Sequence, residues 1–205
     1  MTPTAVSGSA PRNSGQGKAR TGRLFIISAP SGAGKTSLCD AIRKHFSDLA
    51  YSISYTTRAV RKGEQNGRDY FFISEKEFQQ GIANDRWAEW AKVHGHFYGT
   101  SACWITQALS QGRDVLMDID VQGTRNMLNH FPDAVTIFIM PPSLEELGRR
   151  LETRGTDDAA TIALRLANAR EEMRQKALYR HIVINDDLLR TTRELINLLD
   201  QYRRL

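Results

Sequence analysis

No apolar run in the 205-residue chain approaches the roughly 20 residues that a bilayer-spanning helix needs, and the N-terminus carries no apolar core of the secretory type. Cysteine is nearly absent. Cys39 and Cys103 stand far apart without metal-ligand spacing, which argues against a disulfide framework and predicts two free thiols in a reducing compartment. The expectation is a soluble, cytoplasmic protein without a membrane partner. Charge of one sign is also lacking: 28 basic residues face 23 acidic ones, for a net +5. That balance suits anionic ligands but is too mixed for a protein that coats nucleic acid, and no base-reading element is visible. No internal repeat and no evident His–carboxylate pair occur. His94 and His96 have the spacing of near neighbours on a strand but no further ligands, and read as structural or exposed.

With 40% hydrophobic residues, the chain can bury one substantial core and a small subdomain. Residues 1–22, rich in Ser, Gly, Pro and Thr, offer too little apolar surface to offset ordering entropy and are expected to be a disordered leader. At Leu24–Ile27 a short continuous apolar run meets a Gly-rich turn, the pattern of a strand buried on both faces. Similar runs at Val115–Met117, Val135–Met140 and Ile182–Ile184 alternate with helix signals, which predicts an open α/β fold with a parallel sheet flanked by helices. Ser74…Glu77 and Ser143…Glu146 have capping-box spacing. A last helix follows Asp186-Asp187, with Leu189, Leu195, Ile196, Leu199 and Tyr202 on one face. Between these lie β-branched and aromatic runs, Ser52–Thr56 and Tyr70–Ile73, expected as strands of a small mixed subdomain over 51–111. The segment 143–175 is Arg-rich, helical and broken at Gly155, a candidate lid. The core is then 23–50, 112–142 and 176–205, within one domain over 23–205.

Directly after the first apolar run comes Ala29-Pro30-Ser31-Gly32-Ala33-Gly34-Lys35-Thr36. It fits the phosphate-binding loop pattern except for Ala at the first glycine position, where a methyl is tolerated if φ is negative. Gly32 and Gly34 allow backbone N–H groups to converge on phosphate oxygens, and a helix starting near Lys35 aims its positive end at them. Lys35 is expected on the β/γ-phosphates and Thr36 on Mg²⁺.

A triphosphate site leaves the acceptor open. From Ser54 to Tyr70 the chain reads SYTTRAVRKGEQNGRDY, so Arg58 and Arg61 are three residues apart and able to fork onto one phosphate. This segment resembles the guanylate kinase family, whose signature runs Thr-Thr-Arg, two residues, Arg, then Gly-Glu and Gly, and ends in Asp-Tyr. The resemblance extends from Leu24 to the C-terminus. It takes in the loop at 29–36, Glu89-Trp90-Ala91, Tyr98-Gly99, Leu116–Asp120 with Gln122-Gly123, Pro141-Pro142-Ser143, Arg154-Gly155 and Asn185-Asp186-Asp187.

The resemblance implies a P-loop kinase fold and transfer of the γ-phosphoryl group of ATP to GMP, and to dGMP, giving ADP and GDP in purine nucleotide metabolism and GMP recycling. It implies that Arg58, Arg61, Tyr70 and Tyr98 hold the GMP phosphate, while Ser54, Glu89, Gly99, Thr100 and Asp120 form the rest of the GMP site. Glu89 can accept from the N1–H and 2-amino groups of guanine, donors that adenine lacks, and Thr100 can donate to O6. It further implies that Arg150, Arg154 and Arg165 of the lid act on the ATP phosphates with Lys35, and that Asn185 lies near the adenine. Asp118 keeps two readings: orienting Mg²⁺ or its waters, or binding the acceptor or stabilising the loop. The alternatives are a guanylate kinase-like interaction module without ATP chemistry, a kinase for AMP or a pyrimidine monophosphate, and a basic nucleic-acid-binding protein.

Overall fold

The computed structural model describes residues 20–93, 95–155 and 157–204. In chain order the elements are β1 (Leu24–Ser28), α1 (Lys35–His45), β2 (Ala50–Tyr51), β3 (Tyr55–Thr56), β4 (Phe71–Phe72), α2 (Glu75–Ala83), β5 (Trp87–Val93), β6 (His96–Ser101), α3 (Ala102–Ser110), β7 (Val115–Asp118), α4 (Val121–His130), β8 (Val135–Met140), α5 (Leu144–Arg154), α6 (Ala159–Arg174), β9 (His181–Ile184) and α7 (Leu188–Arg203).

Five strands form a parallel sheet in the order β2-β7-β1-β8-β9, with β1 at its centre. Every side chain of β1 is buried because both faces are covered. Phe25 and Ile27 face one side, packed with Leu38 and Ile42 of α1 and Leu195 and Leu199 of α7. Leu24 and Ile26 face the other, with Ile105 of α3 and Met127 of α4. The period of two along β1 thus divides its residues between two cores.

At the edge, β9 departs from the expected buried strand: Ile182 and Ile184 are exposed and only Val183 enters the core. Leu189, expected on the apolar face of α7, is 68% exposed, because the packed face begins a turn later with Thr191 and continues through Leu195 and Leu199.

The second sheet has the order β4-β3-β6-β5 and mixes parallel and antiparallel pairs. Its own core is Phe78, Trp87 and Phe97, with Phe78 stacked between the other two rings at centroid separations of 4.5 and 5.2 Å. Of the strands expected here, 52–56 shortens to Tyr55–Thr56 and 70–73 to Phe71–Phe72; the long pair β5 and β6 has no counterpart among the strands expected from the sequence.

Both capping-box serines cap: Ser74 accepts from the Glu77 N–H and Ser143 from the Glu146 N–H. The glutamates turn elsewhere, Glu77 to Arg86 and Glu146 to Arg149 and Arg150, because these cations outcompete a backbone donor. Gly155 ends α5 in the left-handed conformation, φ 64°.

The expected leader lies mostly outside the described residues, yet Arg20 Nη2 donates to both oxygens of Asp114, at 2.9 and 3.0 Å. The same buried carboxylate accepts from the Arg23 N–H and from Arg203 Nε near the other end of the chain, each at 2.8 Å. Asp114 sits where β7 begins, on the side of the sheet opposite the β1–α1 loop. Among the described residues no helix is long and apolar enough to cross a membrane.

Candidate active site

The loops at the carboxyl ends of β1, β7 and β9 meet, as ligand-binding loops do in open parallel sheets. After β1 the chain turns through Gly32 and Gly34, at φ 91° and 93°, a region costly for any residue with a side chain. Ala29 is outside that region, so its methyl is accommodated. The six described α-helices after α1 each have a Ser or Asp side chain accepting from their first turn. The N-cap of α1 is Gly34, with no side-chain cap, so the first-turn N–H groups at Lys35 and Thr36 are left for another acceptor. They border a cavity of about 360 Å³ lined by residues 29–32 and 34–37 and, from α6, Glu172.

Asn185 is buried, and its side-chain amide donates to the Ala33 carbonyl at 2.7 Å. Expected beside the adenine, it braces the phosphate loop, and its Nδ2 is the group that a Cβ at position 34 would strike. Arg150 donates to the Asn185 carbonyl at 3.0 Å and to Glu146 at 3.1 Å. Arg165 reaches the loop itself, donating to Ser31 Oγ at 3.2 Å while paired with Asp157 at 3.2 Å. The side chain of Arg154 lies outside the described residues, as does His94; His96 is exposed on β6.

Lys35 Nζ is 3.2 Å from Asp118 Oδ2 at the end of β7, and the Tyr51 hydroxyl donates to the other oxygen of Asp118. Burial, and then the Asp118 charge, push the Tyr51 phenol well above its ordinary range, so it remains a donor. The same two causes push the Cys39 thiol up to about 12, which leaves it unreactive. Tyr51 is a site residue absent from the sequence-based expectations; a tyrosine ending a two-residue edge strand gives no signal.

Lys35 and Asp118 also line a second cleft, of about 320 Å³, with Ser54, Tyr70, Glu89, Tyr98 and Asp120. A bulge in β5 places Glu89 there. Trp87 pairs with Ser101 but Glu89 pairs with Thr100, so one extra residue turns the carboxylate into the cleft. Thr100 is fully buried and donates to Glu89 Oε1 at 2.6 Å. The bulge sets the two side chains opposite each other, so Thr100, expected at guanine O6, stands beside the carboxylate expected on the same base. Burial raises the Glu89 carboxyl to about 7; the Thr100 hydrogen bond opposes the rise and the Asp120 charge adds to it.

Asp120 caps α4, accepting from the Gly123 N–H at 2.7 Å. Gly99 is buried, and a Cβ there would sit 2.8 Å from Phe78 Cζ, so in this structure it serves sheet packing.

Arg58, expected on the acceptor phosphate, is buried under the rings of Tyr70 and Phe72, its guanidinium 5.4 and 5.8 Å from their centroids. Tyr70 and Tyr98 meet edge to face at 5.9 Å. Glu64 takes both terminal nitrogens of Arg58, at 2.7 and 3.0 Å, and accepts from the Arg61 N–H at 2.8 Å. The Arg61 side chain is exposed. Hydrogen bonds from Arg58 first, then from the Arg61 backbone, hold the Glu64 carboxyl below its ordinary range. In the sequence Glu64 is only part of a Gly-Glu pair; an acidic residue in a turn beside two arginines is its one signal.

The family description "Guanylate kinase" matches residues 21–202. The guanylate kinase of Syntrophotalea carbinolica is 49% identical over 180 residues, covering 88% of this chain and 86% of that protein. That of Dechloromonas aromatica is 50% identical over 174 residues, covering 85% and 86%. The crystal structure of guanylate kinase from Anaplasma phagocytophilum superposes with a TM-score of 0.69 at 32% identity, over 89% of this chain and 87% of that one. A phosphate loop with an uncapped helix, a lysine shared by two clefts and a match along nearly the whole described chain lead to one assignment: the chain belongs to the guanylate kinase family.

Proposed function

We propose that the protein is an ATP:GMP phosphotransferase of the cytoplasm that moves the γ-phosphoryl group of ATP to GMP or dGMP, giving GDP or dGDP and ADP. The observation that carries this reading is the position of Lys35, which borders both the phosphate-loop cavity and the cleft that holds Glu89. A cation at that junction lies where a phosphoryl group would pass from donor to acceptor.

Phosphoryl transfer asks the protein to position two anions and neutralise them rather than to form bonds. The acceptor oxygen of a nucleoside monophosphate is already ionised at neutral pH, so no general base is needed. In this reading the loop N–H groups and Lys35 hold the ATP phosphates, with Arg150, Arg154 and Arg165 of the lid joining them as it closes over the loop and excludes water. Residues 51–111 form the acceptor-binding part: Arg58, Arg61, Tyr70 and Tyr98 hold the acceptor phosphate, and Ser54, Glu89, Thr100 and, from beyond that part, Asp120 surround the base. An ionised Glu89 accepts both the N1–H and 2-amino donors of guanine. Adenine, lacking them, would leave a buried carboxylate with the Thr100 hydroxyl but no donor from the base, which is unfavourable.

Among the described residues no three or more His, Cys, Asp or Glu side chains are grouped to hold a metal. The donor set instead fits Mg²⁺ carried in on ATP, bound mainly by phosphate and water with the Thr36 hydroxyl. Bound there, the ion supplies neutralisation of β- and γ-phosphate charge. A Lys35 turned to the phosphates would leave one oxygen of Asp118 without its cation, and that carboxylate would be the residue to orient water beside a bound Mg²⁺.

The test is ADP release with ATP and Mg²⁺ against a panel of GMP, dGMP, AMP, UMP and CMP. Turnover is expected with GMP and dGMP alone; a preference for AMP or a pyrimidine nucleotide overturns the assignment of Glu89. Lys35→Ala is expected to lower kcat by at least about a hundredfold with folding retained, and a Lys35→Ala protein that keeps its activity removes the loop from the mechanism.

A further inference from the structure

Glu64 makes three hydrogen bonds that together decide how Arg58 can receive a ligand. A guanidinium has five N–H donors and two faces for a planar anion: the end formed by its two terminal nitrogens, and the side formed by Nε and Nη2. In this protein the end is occupied. Glu64 Oε1 accepts from Nη2 at 2.7 Å and Oε2 from Nη1 at 3.0 Å, and the remaining Nη1 hydrogen goes to the Ala59 carbonyl at 2.8 Å. Three donors are thus used. The two left are Nε–H and the second Nη2–H, which form the side fork; no carboxylate or carbonyl among the described residues accepts from them. The Tyr98 phenol, which borders the same cleft, lies within hydrogen-bonding reach of the Arg58 guanidinium and favours its charge.

The same Glu64 oxygen that meets Nη1 also accepts the Arg61 N–H, so one carboxylate fixes the orientation of Arg58 and the backbone position of Arg61. The rings of Tyr70 and Phe72 confine the guanidinium from above, which leaves Glu64, with the Ala59 carbonyl, to set its rotation in its own plane.

We propose that Glu64 is a positioning residue for the acceptor phosphate: it holds the end of the Arg58 guanidinium so that the Nε–Nη2 side is presented to a phosphate dianion. This rests on the reading of the cleft as the GMP site. The opposing reading is that the Glu64 carboxylate occupies the place of the phosphate and must be displaced by it. The two make opposite predictions, since removing a positioning group weakens phosphate binding and removing a competitor strengthens it.

The experiment measures binding of GMP and of guanosine, which lacks the phosphate, to the full chain and to Glu64→Gln, together with KM for each substrate. Expected for Glu64→Gln is a GMP affinity lower by about tenfold or more, guanosine affinity within about twofold of the parent, and an unchanged KM for ATP. Guanosine binding also reports that the cleft is folded. In an Arg58→Lys background, whose ammonium has no fork to orient, Glu64→Gln is expected to add less than about twofold.

Unchanged or tighter GMP binding by Glu64→Gln overturns the proposal, as does an equal loss of GMP and guanosine, or a full loss repeated in the Arg58→Lys background. Turnover of GMP by the parent protein is scored separately, so failure of the functional reading is distinguishable from failure of the role given to Glu64.

Discussion

Glu89 carries the most exposed consequence of its surroundings, because a carboxyl raised to about 7 changes charge within the range where such an enzyme is assayed. Only the ionised form accepts two donors from guanine. Affinity for guanosine, whose measurement avoids the titration of the phosphate, is therefore expected to fall as pH drops below about 7 and to level off above it. Glu89→Gln should flatten that profile, and a parent profile flat from pH 5 to 8 would contradict the role of Glu89. The sign for folding is opposite. A folded carboxyl raised above its ordinary 4.5 contributes stability that is fully present below that value and is lost as pH rises through about 7. The loss is on the order of 3 kcal/mol. Without ligand, Glu89→Gln is thus expected to melt higher than the parent at pH 8 and with little difference at pH 4.5.

Glu89, Lys35 and Arg58 are legible in the sequence as residues. Their partners are not. Thr100 reaches Glu89 only through a bulge, and Tyr51 reaches Asp118 from a strand of two residues, and neither relation has a spacing that periodicity can reveal.

At the scale of elements, β1 and β8 are legible because both faces are covered and the run of apolar residues is continuous. β5 and β6 are not, since the bulge breaks the alternation of β5 and the polar cleft residues Glu89 and Thr100 fall among the buried positions. Helix starts are readable at Ser74 and Ser143, where a glutamate follows at capping-box spacing, and after Asp186-Asp187; the caps Ser101, Asp120 and Asp158 lack that glutamate and give no such signal. The start of α1 is readable for the converse reason, a glycine where a cap should be. That glycine is confined twice, by its φ of 93° and by Asn185 Nδ2, which lies in the path of any side chain at position 34. Gly34→Ala is accordingly expected to cost about 1–3 kcal/mol locally, read as a loss of ATP affinity of about tenfold or more. GMP affinity should stay within about twofold of the parent; equal losses for both nucleotides would mean that the loop is not a separate donor-side element.

For the whole molecule, the described chain is held together at one point far from either cleft. Asp114 is 3% exposed and receives Arg20, Arg203 and the Arg23 N–H. Breaking a buried ion pair by removing one partner commonly costs about 3–5 kcal/mol. Asp114→Ala is expected to lower the melting temperature by about 10 °C while leaving KM for both nucleotides within about twofold, as thermal unfolding and steady-state assays would show. An Asp114→Ala protein with parental melting behaviour would make the clasp incidental.

The clasp has a topological corollary. Arg20 and Arg203 grip a single carboxylate at the edge of the sheet where its strands begin, whereas both clefts open where the strands end. The two ends of the fold are close enough to be joined by a short peptide, so a circularly permuted gene that links them and starts at a surface turn elsewhere should encode a protein with both clefts intact.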